Sequence, residues 1–158
     1  MKAINYFIVV LALIITATSC AGPGQARNSD IAGLIESKRF VFVAQTANPL
    51  GMRSRQLTGE YDLRITPDSI ISFLPYFGRA YAAPIDSREG GIRFTSTKFE
   101  YVQSVGRRGG WNINIRPADA QDVRELNLNI SSGGIATLQV NSNNRQSISF
   151  SGQIVARR

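Results

Sequence analysis

From Phe40 to Ile154 the polarity of the chain alternates with a period of two, in short runs broken by Gly-, Asn- and Ser-rich punctuation. That period belongs to strands, because successive side chains on a strand point to opposite faces. Tyr61, Leu63 and Ile65 share one face, with Glu60, Asp62 and Arg64 on the other. Trp111, Ile113 and Ile115 alternate with Asn112, Asn114 and Arg116, and Leu126, Leu128 and Ile130 with Glu125, Asn127 and Asn129. Ala136, Leu138 and Val140, then Ile148, Phe150 and Ile154, continue the pattern. The turns between them (Thr66–Ser69, Gly106–Gly110, Ser131–Gly134, Asn141–Asn144) carry the residues that tight hairpins need. The spacing predicts a mainly β fold: an antiparallel meander of about eight or nine strands, curled or barrel-like. One face of each run is polar, so the sheet has a wet side, either outside or lining a cavity. Phe40–Ala44 is apolar on both faces and predicts a strand covered on both sides, and Thr46–Gln56, with Asn48-Pro49 and Gly51, predicts a loop.

Ahead of the strands stands one helical stretch. Ser29 or Asp30 can cap it, and Ile31, Leu34 and Ile35 fall on one face, predicting a short helix over Ser29–Lys38. Two turns do not stand alone in water, so the helix has to pack, on the sheet or on a membrane surface. Residues 1–19 have the three-part layout of a signal peptide: Lys2, the apolar run Phe7–Ile15, then Ala17-Thr18-Ser19. The run is shorter than the roughly 20 residues of a membrane-spanning helix. Ala17-Thr18-Ser19-Cys20 resembles the bacterial lipobox, in which the cysteine is acylated on sulfur and, once it is the new N-terminus, on nitrogen. Ala17 departs from the usual Leu. Cys20 is therefore either a lipid attachment point or a small residue at an ordinary cleavage site. Residues 20–28 read as a flexible tether, and residues 29–158 as a single β-rich domain. In lipoproteins of this kind an acidic run in the tether resembles a surface-export signal, so its absence implies retention facing the periplasm, expected here at the outer membrane.

The chain of 158 residues has one cysteine and no histidine. No internal disulfide is possible, and a domain of this size builds its core without one. Ser-His-Asp and Cys-His nucleophile activation are excluded, as are the usual zinc and copper ligand sets. The expected cofactor list is empty, and catalysis would rest on carboxylates, Lys, Tyr or Ser. A net charge of +7 comes mostly from arginine, which suits phosphate. Yet Arg53, Arg64, Arg79, Arg93, Arg116 and Arg145 are scattered, which predicts solvated strand faces and no nucleic-acid partner.

Three constellations could carry function. Leu74–Tyr81 breaks the alternation and holds Tyr76, Phe77, Arg79 and Tyr81 in an expected loop with Pro75 and Gly78. Rings beside a guanidinium suit a hydrophobic ligand with an anionic head, with Tyr76 and Phe77 facing inward and Arg79 at the mouth; equally, the rings could plug one end of a barrel. Arg107-Arg108 lies between glycines, either a phosphate contact or an exposed hairpin tip. Glu60, Asp62, Asp86 and Glu89 are the carboxylates available for hydrolysis, although Arg64 beside Glu60 and Asp62 makes a charge ladder. The expected role is non-enzymatic binding of a ligand or an envelope protein, by a molecule joined to the membrane through Cys20. The alternative is a carboxylate hydrolase acting on envelope glycan. A deep cleft with a carboxylate at its floor would favour the enzyme, and a packed barrel or apolar cavity the binder.

Leu74-Pro75-Tyr76-Phe77-Gly78-Arg79-Ala80, Gly90-Gly91-Ile92-Arg93-Phe94 and Ile148-Ser149-Phe150-Ser151-Gly152 resemble the Bacteroidetes lipoproteins classed as domain of unknown function 4251. The resemblance runs over roughly residues 36–155. It implies an envelope location and a single domain, and assigns no activity.

Overall fold

The fold is described by a computed structural model, which covers residues 28–81 and 90–156. The signal peptide, Cys20, the tether to Arg27, and Asp86 and Glu89 lie outside the described residues. Helix α1 (Asn28–Glu36) is followed by nine strands. They are β1 (Phe40–Pro49), β2 (Arg55–Ile65), β3 (Ile70–Pro75), β4 (Gly91–Ser96), β5 (Phe99–Val105), β6 (Trp111–Pro117), β7 (Val123–Ile130), β8 (Ile135–Ser142) and β9 (Ile148–Ala156). A single 3-10 turn, Arg107–Gly109, caps the β5–β6 hairpin.

All nine strands form one antiparallel sheet in the order β4-β3-β2-β1-β9-β8-β7-β6-β5. Its shape follows from two arithmetic facts. Laid flat, the outermost strands would stand roughly 38 Å apart at the usual spacing of neighbouring strands. Yet only Thr97 and Lys98 separate β4 from β5, a link that reaches about 11 Å. The sheet must therefore roll up. An odd number of alternating strands also leaves β4 and β5 running the same way, and so short a link cannot join parallel neighbours. β5 continues β4 end-on instead of pairing with it, which makes the barrel nearly closed and not closed.

Asp119, in the β6–β7 connection, fastens that corner. Its carboxylate accepts the Ser96 hydroxyl, the Thr97 amide at 3.0 Å and the Lys98 amide at 3.2 Å. The Ala118 amide adds a bond to the Lys98 carbonyl at 2.7 Å.

The alternation expected from the sequence sets the inner face. Phe40, Phe42, Leu63, Ile65, Ile70, Leu74, Ile113, Ile115, Leu126, Leu138, Val140 and Phe150 are all buried in one cluster. Each such side chain contributes about 1.5–3 kcal/mol by leaving water. Ile31 and Ile35 of α1 join the cluster, so the helix packs on the barrel end where β1 begins. Gly134 makes room for it: φ is +83°, and a Cβ there would come within 2.9 Å of Ile31 Cδ1. The helix stops at Glu36, short of the expected Lys38. Arg39 N–H reaches back to the Leu34 carbonyl and Lys38 N–H to that of Ile35, a Schellman stop with Lys38 at φ 51°.

Two expectations need correction. Of the expected loop Thr46–Gln56, Thr46–Pro49 and Arg55–Gln56 are strand: β1 bulges between Ala44 and Thr46 and continues against β9 as far as Pro49 opposite Ile148, and β2 begins at Arg55 opposite Ala47. Pro49 takes the last rung, where a missing N–H matters least. Leu74 and Pro75 likewise end β3, with Pro75 opposite Gly91, so the break in alternation begins at Tyr76.

Candidate functional site

Tyr76–Tyr81 is a strap that leaves β3 and crosses to the β8–β9 turn at the end where β1 meets β2. An isolated bridge joins Ala80 to Arg145. Tyr81 N–H donates to the Asn144 carbonyl at 2.8 Å, and Gln146 N–H to the Arg79 carbonyl at 3.1 Å. The Tyr76 hydroxyl lies 2.9 Å from the Arg79 carbonyl and 3.0 Å from the Gln146 carbonyl, so one group holds both sides of the crossing. Burial raises the Tyr76 pKa, opposed by its bond to Gln146 and by the nearby Arg145 charge, so the phenol stays a donor. Gly78 lets the strap double back: a Cβ there would stand 2.7 Å from the Tyr76 hydroxyl.

Arg145 secures the same end from beneath. Its guanidinium sits 5.2 Å from the Tyr76 ring centre. Nε lies 2.8 Å from Asp122 Oδ2, and Nη1 donates to the Gly91 carbonyl at 3.0 Å. Phe77 packs half-buried against the core, with the Arg55 guanidinium 4.8 Å from its ring centre.

The four expected site residues therefore divide. Tyr76 and Phe77 turn into the fold and act as a clasp and a plug. Arg79 borders a cleft of about 470 Å³ lined by Leu50, Gly51, Met52, Gly78, Arg79 and Gln146. Tyr81 is 73% exposed and is not part of that lining. Leu50 and Met52, 63% and 49% exposed, went unnoticed in the sequence because they sit inside the expected loop. Their signal was available: two apolar residues at a hairpin tip, where polar ones are the rule. Among the described residues, no carboxylate lines this cleft and Arg79 makes no ion pair.

The other constellations resolve differently. Arg107 and Arg108 sit exposed on the 3-10 tip, with Arg108 at φ 53°. Asp62 is bound by Arg64 at 2.8 Å on the outer face of β2, and Glu60 is exposed there. A second cleft, of about 290 Å³, runs along β4 and includes Asp119, Asp122, Arg93 and Arg145. Its carboxylates are already engaged. The Ser96 hydroxyl, with the Thr97 and Lys98 amides, brings Asp119 down to about 2, and Asp122 holds Arg145. On the outer face Glu125 is lowered to about 2 by side-chain amides, Asn114 first, then Asn127 and Asn141, and by Arg116. Among the described residues no group of three His, Cys, Asp or Glu side chains could hold a metal ion. No helix among them is long and apolar enough to cross a membrane.

A family model described as Domain of unknown function (DUF4251) matches residues 24–154. Among solved structures, a DUF4251 family protein from Bacteroides eggerthii DSM 20697 is similar at a TM-score of 0.59 and 16% sequence identity, covering 82% of this chain and 87% of that one. At that identity the likeness speaks to the fold alone. No curated protein matches.

Proposed function

The chain belongs to the DUF4251 family, and from that premise we propose that it is a lipid-anchored protein of the bacterial cell envelope that binds a ligand or protein partner without catalysing a reaction. It is held at the outer membrane, facing the periplasm, by acyl chains on Cys20. The support for the anchor is the apolar run that closes on Ala17-Thr18-Ser19-Cys20 and leads into a tether. Several acyl chains hold a protein stably where one does so marginally.

One observation carries the binding reading. The cleft between the β1–β2 tip and the strap exposes Leu50 and Met52 beside Arg79, and among the described residues no carboxylate lines it. Apolar side chains left in water beside a cation that makes no ion pair among the described residues suit an amphiphile or a partner surface with an anionic group. A glycan hydrolase would need a carboxyl group that carries a proton near neutral pH. Asp119, at the second cleft, lies far below that range, and Asp122 is committed to Arg145.

The test is native mass spectrometry of the chain extracted from its own envelope, beside a Leu50→Ser, Met52→Ser, Arg79→Ala variant. The variant should melt within a few degrees of the parent and lose whatever the parent retains. Retention of the same molecules by the variant would refute the cleft as the site. Metabolic labelling with palmitate should mark the parent and not Cys20→Ala, and an unmodified terminus in the parent would remove the anchor.

A further inference from the structure

The β5 strand is the outermost of the sheet at one edge, and the side chains of its second half are exposed. Val102, Gln103, Ser104 and Val105 are all exposed, so neither face of the strand is covered there. Val102 is 50% and Val105 85% exposed, unusual for aliphatic side chains on a strand. This half of β5 lies at the rim that α1 covers, beside Trp111 and Ile113 of β6, which pack on the core.

The two bonds that flank the β5–β6 ladder reveal which backbone groups of β5 are free. Ala118 N–H donates to the Lys98 carbonyl and Gly106 N–H to the Gly110 carbonyl. Both lie in register with the ladder that pairs Phe99 with Pro117 and Val105 with Trp111. In an antiparallel pair, opposed residues alternate between exchanging bonds with each other and not doing so. Glu100, Val102 and Ser104 therefore bond β6, whereas Phe99, Tyr101, Gln103 and Val105 turn their N–H and C=O groups to the open edge. Pro117, which has no N–H to give, fits its place opposite Phe99. Among the described residues no other segment bonds these outward groups. The strand carries no Lys, Pro or bulge within Phe99–Val105, the devices that ordinarily protect an edge.

We propose that β5 is where two copies of this chain join edge to edge, as an antiparallel pair whose two-fold axis passes through Val102. That axis sets Tyr101 opposite Gln103 of the second copy, and Phe99 opposite Val105. All four outward residues then find outward partners. A shift by one residue would oppose outward groups to inward ones. Moving the axis to Tyr101 leaves Val105 unmatched, and moving it to Gln103 leaves Phe99 unmatched. The side chains agree with the backbone. Val102 meets its own counterpart in a pair without mutual bonds, where side chains approach most closely. Val105 gains Phe99 of the second copy, and Glu100 faces Ser104, keeping the strand's carboxylate away from its twin. The other sheet edge is occupied at both ends, where Arg145 holds the Gly91 carbonyl of β4 and Asp119 binds the Ser96 hydroxyl. The assembly closes as a dimer. Val105 stands at the opposite rim from the cleft of the proposed function, and neither reading depends on the other.

Thiol cross-linking tests the register in the full chain carrying Cys20→Ser, so that an introduced cysteine is its only thiol. Val102→Cys should give a disulfide-linked dimer on oxidation. Glu100→Cys alone should not, whereas Glu100→Cys combined with Ser104→Cys should. Light scattering of the chain in detergent, corrected for the micelle, should read twice the monomer mass. Val102→Lys, which opposes two ammonium groups on the axis, should bring it to the monomer mass with an unchanged circular dichroism spectrum. A monomer mass before substitution, a dimer that survives Val102→Lys, or equal cross-linking by Glu100→Cys alone would overturn the proposal.

Discussion

Arg145 Nε lies 2.8 Å from Asp122 Oδ2, and through this pair the β8–β9 turn is joined to the β6–β7 connection. The same guanidinium reaches the Gly91 carbonyl on β4 and faces the Tyr76 ring, so four segments distant in sequence converge on one side chain. With 15% of the Arg145 side chain and 35% of that of Asp122 exposed, water can replace only part of what is lost if Arg145 is removed. Arg145→Ala should therefore destabilise the protein by about 2–3 kcal/mol, below the range for a fully buried pair because the Asp122 carboxylate keeps some contact with water. Arg145→Lys should recover less than half of that, because an ammonium cannot serve Asp122 and Gly91 at a fixed fork angle. Chemical denaturation of the two variants checks both expectations.

Acid should loosen the β4–β5 corner. Asp119 falls from an ordinary 3.8 to about 2 in the folded chain, chiefly through the Ser96 hydroxyl and then the Thr97 amide. A group whose pKa is depressed by folding stabilises the fold above its unfolded value, and that contribution fades as pH drops through the folded value. The melting temperature should thus decline between about pH 4 and pH 2, with Glu125, lowered from 4.5 to about 2, acting in the same direction. Asp119→Asn should melt lower at neutral pH and show a shallower decline over that window. An identical pH profile in parent and variant would remove Asp119 from the account.

Tyr76 and Gly78 should be coupled. Tyr76→Phe leaves the Arg79 and Gln146 carbonyls without the hydroxyl and should cost about 1–2 kcal/mol. Gly78→Ala drives a methyl against that hydroxyl and should cost about 1–3 kcal/mol in the parent. In the Tyr76→Phe background the oxygen is gone, and the cost of Gly78→Ala should drop by at least about 0.5 kcal/mol, the lower end of measured couplings between contacting residues. A double-mutant cycle from denaturation curves reads this difference, and strict additivity would count against the clasp.

Phe77 and Leu50 should separate structure from surface. Phe77 packs against the core beneath Arg55, so Phe77→Ala should cost about 3 kcal/mol, at the lower end for Phe truncations because the ring is half-buried. Leu50, at the exposed tip, should tolerate Ser within about 0.5 kcal/mol. Thermal denaturation of both variants suffices as the measurement.

The alternation that marked Ile113, Ile115, Leu126, Leu128, Leu138, Val140 and Phe150 as one face is a local property of strands, and all seven are buried as that pattern requires. The Ile31 and Ile35 stripe of the helix could be read for the same reason. β1 was harder, because Pro49 and Asn48 speak for a loop in any local reading. β2 pairs Thr46 and Ala47, and beyond them only β9, about a hundred positions along the chain, keeps Asn48 and Pro49 extended. The cleft was half visible: Gly78 and Arg79 stand in a segment that broke the pattern, whereas Leu50 and Met52 join them through the return of the β1–β2 hairpin.

The sequence by itself determined most of the strands, their turns, the inward face and the exclusion of Ser-His-Asp and Cys-His nucleophile activation, since each follows from residue type and short-range spacing. Tertiary structure alone decided that β5 continues β4 and leaves a seam, since an odd strand count and a two-residue link act only once the sheet has rolled. It also decided that the Tyr76 hydroxyl fastens the strap, because the carbonyls it binds, at Arg79 and Gln146, meet only when the strap crosses the barrel end. A side chain's inward or outward sense is written in its neighbours, whereas its partner is chosen by segments brought from elsewhere.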